Sequence, residues 1–176
     1  MTNRTELRIA GSGGQGVILA AIILAEAALI AGKNVAQTQS YGPEARGGMC
    51  KAEVVACDGK VGFFKVRKPT FLLALTQQSL EQYTKGIPAS CILMADDSLV
   101  MPELPEGMRV IQLPILQTAI EKVGKAFTAN IVAVGAVNKV LKLASDEELR
   151  EAVGKHIPKG TEAINFAALE MGAALV

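Results

Sequence analysis

Leu7-Arg8-Ile9-Ala10 is a short, mostly apolar run stopped by Gly11, and beyond the glycines that follow, apolar residues run on from Val17 to Ala31 until Gly32. A short run, a glycine turn and a long run closed by glycine read as strand, loop, helix and C-cap. Asn34 to Ser40 follows the turn Gly32-Lys33-Asn34 and reads as a second strand. The unit is β-loop-α-β, whose strands run parallel through a right-handed crossover.

Tyr41 to Gly48 is too rich in glycine and proline for either regular structure and predicts a loop leaving the second strand. Met49 to Ala56 sets Cys50, Ala52, Val54 and Ala56 against Lys51 and Glu53, and Asp58-Gly59 is expected to turn it into a hairpin with Val61 to Val66. Strand patterns recur at Phe71 to Leu75, Ser90 to Ala95 and Arg109 to Leu113, with a helix at Thr76 to Thr84. From Pro114 onward the pattern is helical: Ile115 to Val123, Ala129 to Leu143, Asp146 to His156 and Glu162 to Leu175. Ser145 with Glu148 forms a capping box for the third of these. The expected fold is α/β: a Rossmann-like open, mostly parallel sheet with helices on both faces, a β-hairpin insertion after the second strand and a helical C-terminal third. Residues 1–176 are expected to form a single domain.

Composition narrows the function. Half the residues are apolar and 20% are charged, so little polar surface remains to solvate a free monomer, and a buried partner interface is expected. A net charge of +1 provides no field for nucleic acid or an anionic membrane. Val17 to Gly32 is too short to span a bilayer comfortably and carries Glu26. The N-terminus lacks a secretory pattern, so a cytoplasmic location is expected. Cys50, Cys57 and Cys91 are widely spaced with only His156 as an imidazole, which argues against a metal or cluster built by this chain alone.

Gly11-Ser12-Gly13-Gly14-Gln15-Gly16 matches G-x-G-x-x-G between a strand and a helix. Glycines there allow a sharp turn and a close backbone approach, and helix-start N–H groups attract a phosphate or carboxylate. A dinucleotide site also needs an acid at the end of the second strand, where this chain has Gln37-Thr38-Gln39-Ser40, which counts against an NAD-dependent dehydrogenase. Tight helix-on-strand packing is the structural alternative. The second loop places Tyr41, Gly42, Pro43, Glu44, Arg46, Gly47 and Gly48 at the strand's carboxyl end, with Arg46 suited to clamp an anion. Both loops are expected over one crevice. His156 reads as a C-terminal helix residue, and Asp96-Asp97 as a strand-end cap.

Together, Gly11 to Val17, Leu24-Ala25-Glu26-Ala27, Gly32-Lys33 and Gln39-Ser40-Tyr41-Gly42-Pro43-Glu44-Ala45-Arg46-Gly47-Gly48 resemble the gamma subunit of 2-oxoacid:ferredoxin oxidoreductases over almost the whole chain. Pyruvate-type gamma subunits usually carry an arginine inside the glycine motif and a Phe-Gly-Ala-Glu-type second loop, and indolepyruvate-type subunits a Met-Ala-Gln-Arg-Gly-Gly loop. The form here is similar to the 2-oxoglutarate type. The resemblance implies oxidative decarboxylation of a 2-oxoacid with coenzyme A, passing electrons to ferredoxin or a similar acceptor. It further implies alpha, beta and in some complexes delta partner chains. Thiamine diphosphate and iron–sulfur clusters are expected on those partners, and this chain has no Gly-Asp-Gly…Asn-Asn signature or clustered cysteines. By the same analogy the domain helps hold the complex together and contributes to the coenzyme A side of the active site. The position of Gly11 to Gly16 and Tyr41 to Gly48 at strand carboxyl ends, with helix-start N–H groups and Arg46, leads us to expect that these loops line the coenzyme A or inter-subunit crevice. A purely structural subunit is the competing class.

Overall fold

The computed structural model describes residues 4–41 and 48–176. In chain order the elements are β1 (Arg4–Ser12), α1 (Val17–Ile30), β2 (Asn34–Tyr41), β3 (Met49–Cys57), β4 (Phe71–Ala74), α2 (Gln77–Tyr83), β5 (Ile92–Asp96) and β6 (Arg109–Leu113). A helical third follows. It comprises α3 (Ile115–Gln117), a π turn (Thr118–Lys122), a 3-10 turn (Ala126–Thr128), α4 (Ala129–Leu141), α5 (Asp146–His156) and α6 (Glu162–Ala173).

The six strands lie in the order β2-β3-β1-β4-β5-β6. β1, β4, β5 and β6 pair parallel, and β3 is antiparallel to both β1 and β2. β1 and β2 therefore run in one direction, as expected, but β3 separates them. Alternation along the strands sends Leu7, Ile9, Ala52, Val54, Phe71, Leu73 and Met94 into one core with α1 and α4 to α6. Leu72, Ala74, Leu93 and Ala95 face a smaller core with Leu80 of α2. Helices thus cover both faces, unequally.

The expected hairpin has a different second arm. Val61 to Val66 forms no strand, and Met49–Cys57 pairs instead with β2 and β1. The physical reason is that β3 has ladder partners on both edges, while side chains take the backbone groups of the 61–68 segment. Arg4 Nη1 and Nη2 donate to the Val61 and Phe63 carbonyls at 2.7 and 3.1 Å. Glu6 Oε2 accepts from the Arg67 and Lys68 N–H groups at 2.8 and 3.2 Å. Arg8 donates to the Val66 carbonyl (3.4 Å), and Glu53 accepts from the Val66 N–H (3.4 Å). Arg8 and Glu53 are themselves ion-paired at 2.8 Å and mostly buried. Burial pushes the Glu6 carboxyl up, but the Arg4 side chain and the two N–H donors outweigh it, so its pKa lies below the ordinary 4.5.

The single helix expected over Ile115 to Val123 is one α turn that widens into a π turn, in which the Val123 N–H donates to the Thr118 carbonyl at 3.0 Å. α4 ends at Leu141, two residues early, with Lys142 in the left-handed region. Asn138 stabilises that exit: its Nδ2 donates to the Ala144 carbonyl (3.0 Å) and its Oδ1 accepts from the Ala144 N–H (3.2 Å). The Ser145 capping box on α5 is present, with Glu148 N–H to Ser145 Oγ at 3.2 Å and Ser145 N–H to Glu148 Oε2 at 2.7 Å.

α4 and α6 cross almost backbone to backbone. A Cβ at Gly135 would meet the Leu169 carbonyl, and one at Gly172 the Val132 carbonyl, within bonding-scale contact. Only glycine admits this approach.

Candidate functional site

The first glycine turn meets the start of β3 at one rim of the sheet. The Gly13 N–H donates to the Gly48 carbonyl at 3.0 Å, next to the pair Ser12–Met49 where β1 ends and β3 begins. Tyr41, the last residue of β2, pairs with Cys50 and is exposed at the same rim. Gly42, Pro43, Glu44, Arg46 and Gly47 lie outside the described residues.

Within the first turn the residues divide by what they touch. The Gln15 side chain is taken up internally: its Oε1 accepts from the Ser12 N–H (2.8 Å) and its Nε2 donates to the Leu75 carbonyl (3.3 Å), tying the turn to the end of β4. Gly16, at φ 72°, is the N-cap of α1, and a Cβ there would collide with the buried Asn130 side chain of α4. Gly11 lies under Gln15 and Leu75. These three positions answer to packing. Gly13 and Gly14 are exposed, Ser12 is half-buried, and nothing lies within 4 Å of where a Gly14 Cβ would stand. Among the described residues no side chain accepts from the N–H groups of Val17, Ile18 and Leu19, at the positive end of the α1 dipole.

Beside this turn opens a cleft of about 230 Å³ lined by Gly14, Gln15, Leu75, Leu116, Ala126, Phe127 and Ala129. Its walls carry no charge, and Phe127 is 64% exposed. The cleft lies outside the carboxyl ends of β1 and β4, where ligands of open α/β sheets bind. A donor-rich turn beside an apolar slot suits a ligand with an anionic part and an apolar part. The sequence reading did not include Leu116, Ala126 and Phe127. Only the fold brings the π-turn region back to the first loop, and no local motif marks it.

The remaining polar candidates have structural roles. Asp96 is buried; its Oδ1 accepts from Ser98 and its Oδ2 from the Leu116 N–H at 2.8 Å, which joins β5 to α3. His156 stands in the last turn of α5. Cys50, Cys57 and Cys91 are buried free thiols. Burial pushes Cys50 up and Cys91 up to about 11, and Cys57 Sγ donates to the Gly59 carbonyl at 3.0 Å. An iron–sulfur cluster needs several cysteines gathered at one place, and these three form no such group among the described residues. Among the described residues no group of three His, Cys, Asp or Glu side chains could hold a metal ion. Nor is any described helix long and apolar enough to cross a membrane.

The family model described as pyruvate ferredoxin/flavodoxin oxidoreductase matches residues 6–175. The chain belongs to that family. It is 41% identical over 174 residues to the 2-oxoglutarate synthase subunit KorC of Methanocaldococcus jannaschii, covering 96% of this chain and 92% of that one. Its fold matches the keto/oxoacid ferredoxin oxidoreductase gamma subunit of Geobacter sulfurreducens PCA with a TM-score of 0.83 at 39% identity, covering 96% and 95% of the two chains. It also matches a 2-oxoglutarate:ferredoxin oxidoreductase from Magnetococcus marinus, solved with 2-oxoglutarate, coenzyme A and succinyl-CoA bound. That match has a TM-score of 0.87 at 26% identity and covers 98% of this chain but 31% of that one.

Proposed function

We propose that this chain is the gamma subunit of a 2-oxoglutarate:ferredoxin oxidoreductase, and that its glycine rim binds coenzyme A where subunits meet. The complex converts 2-oxoglutarate, coenzyme A and oxidised ferredoxin to succinyl-CoA, carbon dioxide and reduced ferredoxin. Thiamine diphosphate and the clusters reside on the alpha, beta or delta chains, and the thiols of this chain do not fit a cluster. The substrate assignment is supported by the likeness to KorC at 41% identity over nearly full length. The subunit assignment is supported by the likeness to a free-standing gamma subunit and to one-third of a longer oxidoreductase chain.

The observation that carries the site is the 3.0 Å bond from the Gly13 N–H to the Gly48 carbonyl. It joins the start of β3 to the first glycine turn, beside the start of α1 and the apolar cleft at Phe127. In this reading the exposed backbone of Gly13 and Gly14 and the start of α1 hold a phosphate. Arg46, on the second loop, adds charge. The Leu75, Leu116 and Phe127 slot takes an uncharged part of the ligand and excludes water from it.

Titrating coenzyme A into the assembled complex tests this reading. Arg46→Ala and Phe127→Ala are each expected to weaken binding about tenfold, equivalent to roughly 1.4 kcal/mol. Unchanged affinity in normally assembled variants would assign the rim to protein contacts alone.

A further inference from the structure

α1 departs from the pattern of a surface helix. Such a helix carries polar residues on its outer face, and one that is apolar all round belongs in an interior. The inward side of α1 is filled by Ala20, Ile23, Leu24, Ala27 and Ala28, all fully buried. The positions that retain exposure are Ile18, Leu19, Ile22, Glu26, Leu29 and Ile30. At about 100° per residue they fall within one arc of roughly 120°. Five of those six are aliphatic, and Leu29 is 57% exposed. Ile18, Leu19 and Ile30 are partly buried against the chain's own core, which leaves Ile22 and the exposed Leu29 as the aliphatic part of this face open to another protein.

The strand packed beside it has the same character. β2 is one of the two edge strands of the sheet, and among the described residues no strand pairs with its far side, which presents its N–H and C=O groups outward. Edge strands are normally guarded by charges, proline or a bulge. Asn34-Val35-Ala36-Gln37-Thr38-Gln39-Ser40-Tyr41 has no charge and no proline, and pairs with β3 without a break in register. α1 lies against β2. An aliphatic arc and an unguarded edge thus run side by side, from the rim at Tyr41 and Ile18 to the far end at Leu29 and Asn34.

We infer that the outer arc of α1 and the free edge of β2 form the interface with another subunit of the same oxidoreductase, one that offers an aliphatic surface and an extended segment that adds to β2. This rests on the reading of the chain as a subunit, and not on what the rim binds. The occupant is a different chain, not a second copy. In the Magnetococcus relative this fold makes up 31% of a longer polypeptide, so other parts of the same chain stand beside it at high effective concentration. Moreover, Glu26 sits within the arc, 3.2 Å from Lys155. Pairing the arc with itself about a two-fold axis brings that carboxylate into an aliphatic contact twice, and desolvating a charge is costly. A different partner meets it once, where Lys155 already neutralises it.

The test is co-expression of the full chain with its thiamine- and cluster-bearing partner chains, comparing wild type, Ile22→Lys and a control, Glu103→Lys, on the α2 side of the sheet. Complex recovery is expected to fall at least tenfold for Ile22→Lys and to stay unchanged for the control, with the melting temperature of each isolated variant matching wild type. Amide exchange on the wild-type complex, which needs no variant, is expected to show slower exchange along β2 than in the isolated chain. Full recovery with Ile22→Lys, equal exchange of β2 in both states, or a dimer of this chain as the protected species by native mass spectrometry would overturn the interface. Failure of the wild-type chain to join any such partner would instead sink the subunit reading. The coenzyme A affinity of recovered complexes is a separate readout and bears only on the rim.

Discussion

Gln15 shows how a residue of a binding-type motif can serve the motif rather than the ligand. Its amide bridges the Ser12 N–H and the Leu75 carbonyl, so the turn is held in shape before anything binds. Gln15→Ala leaves both groups unpaired and is expected to lower stability by about 1–3 kcal/mol in urea unfolding, where loss of one polar partner has that magnitude. A change below a few tenths of a kcal/mol would mean that water replaces the amide freely. The sequence motif alone could not separate this residue from Gly13 and Gly14, because its partner Leu75 is 60 residues away. The same holds for Gly16, whose need for glycine comes from Asn130 as much as from its own φ of 72°.

Among the elements, those with a strong local signal were legible. β6 runs over Arg109–Leu113 and α5 over Asp146–His156 as their patterns indicate, and the capping box of α5 is set by residues three apart. What failed depends on distant partners. Val61 to Val66 was expected as a strand, yet Arg4, Arg8 and Glu53 take its backbone groups and Glu6 those of Arg67 and Lys68, and these side chains belong to strands elsewhere in the chain. The neighbour order β2-β3-β1 was likewise hidden, since nothing local says that β3 inserts between two strands joined by a crossover helix. The α4–α6 crossing is another such case. Gly172→Ala places a methyl group on the Val132 carbonyl and is expected to cost about 1–3 kcal/mol or more, read as a lower melting temperature. A neutral effect would mean that the two helices separate easily.

At the scale of the whole molecule, a wound sheet gathers its useful backbone at one rim and leaves one flank of the chain aliphatic. That β1 and β2 end at one rim was legible from the sequence, because a β-loop-α-β unit runs its strands in one direction and so brings their carboxyl ends together. The cleft wall at Leu116 and Phe127 was not, because it is contributed by α3 and the 3-10 turn, more than a hundred residues further along the chain. The flank was half legible: the excess of apolar residues called for a partner, but only the strand order reveals that β2 is an edge of the sheet among the described residues. The central claim, that the rim holds coenzyme A, is tested most directly by amide hydrogen exchange on the assembled complex with and without coenzyme A. The account predicts slowed exchange at Gly13 to Leu19 and at Ala126 to Ala129, with the distal end of α1 unaffected. Identical exchange at the rim in both states, at saturating coenzyme A, would contradict it.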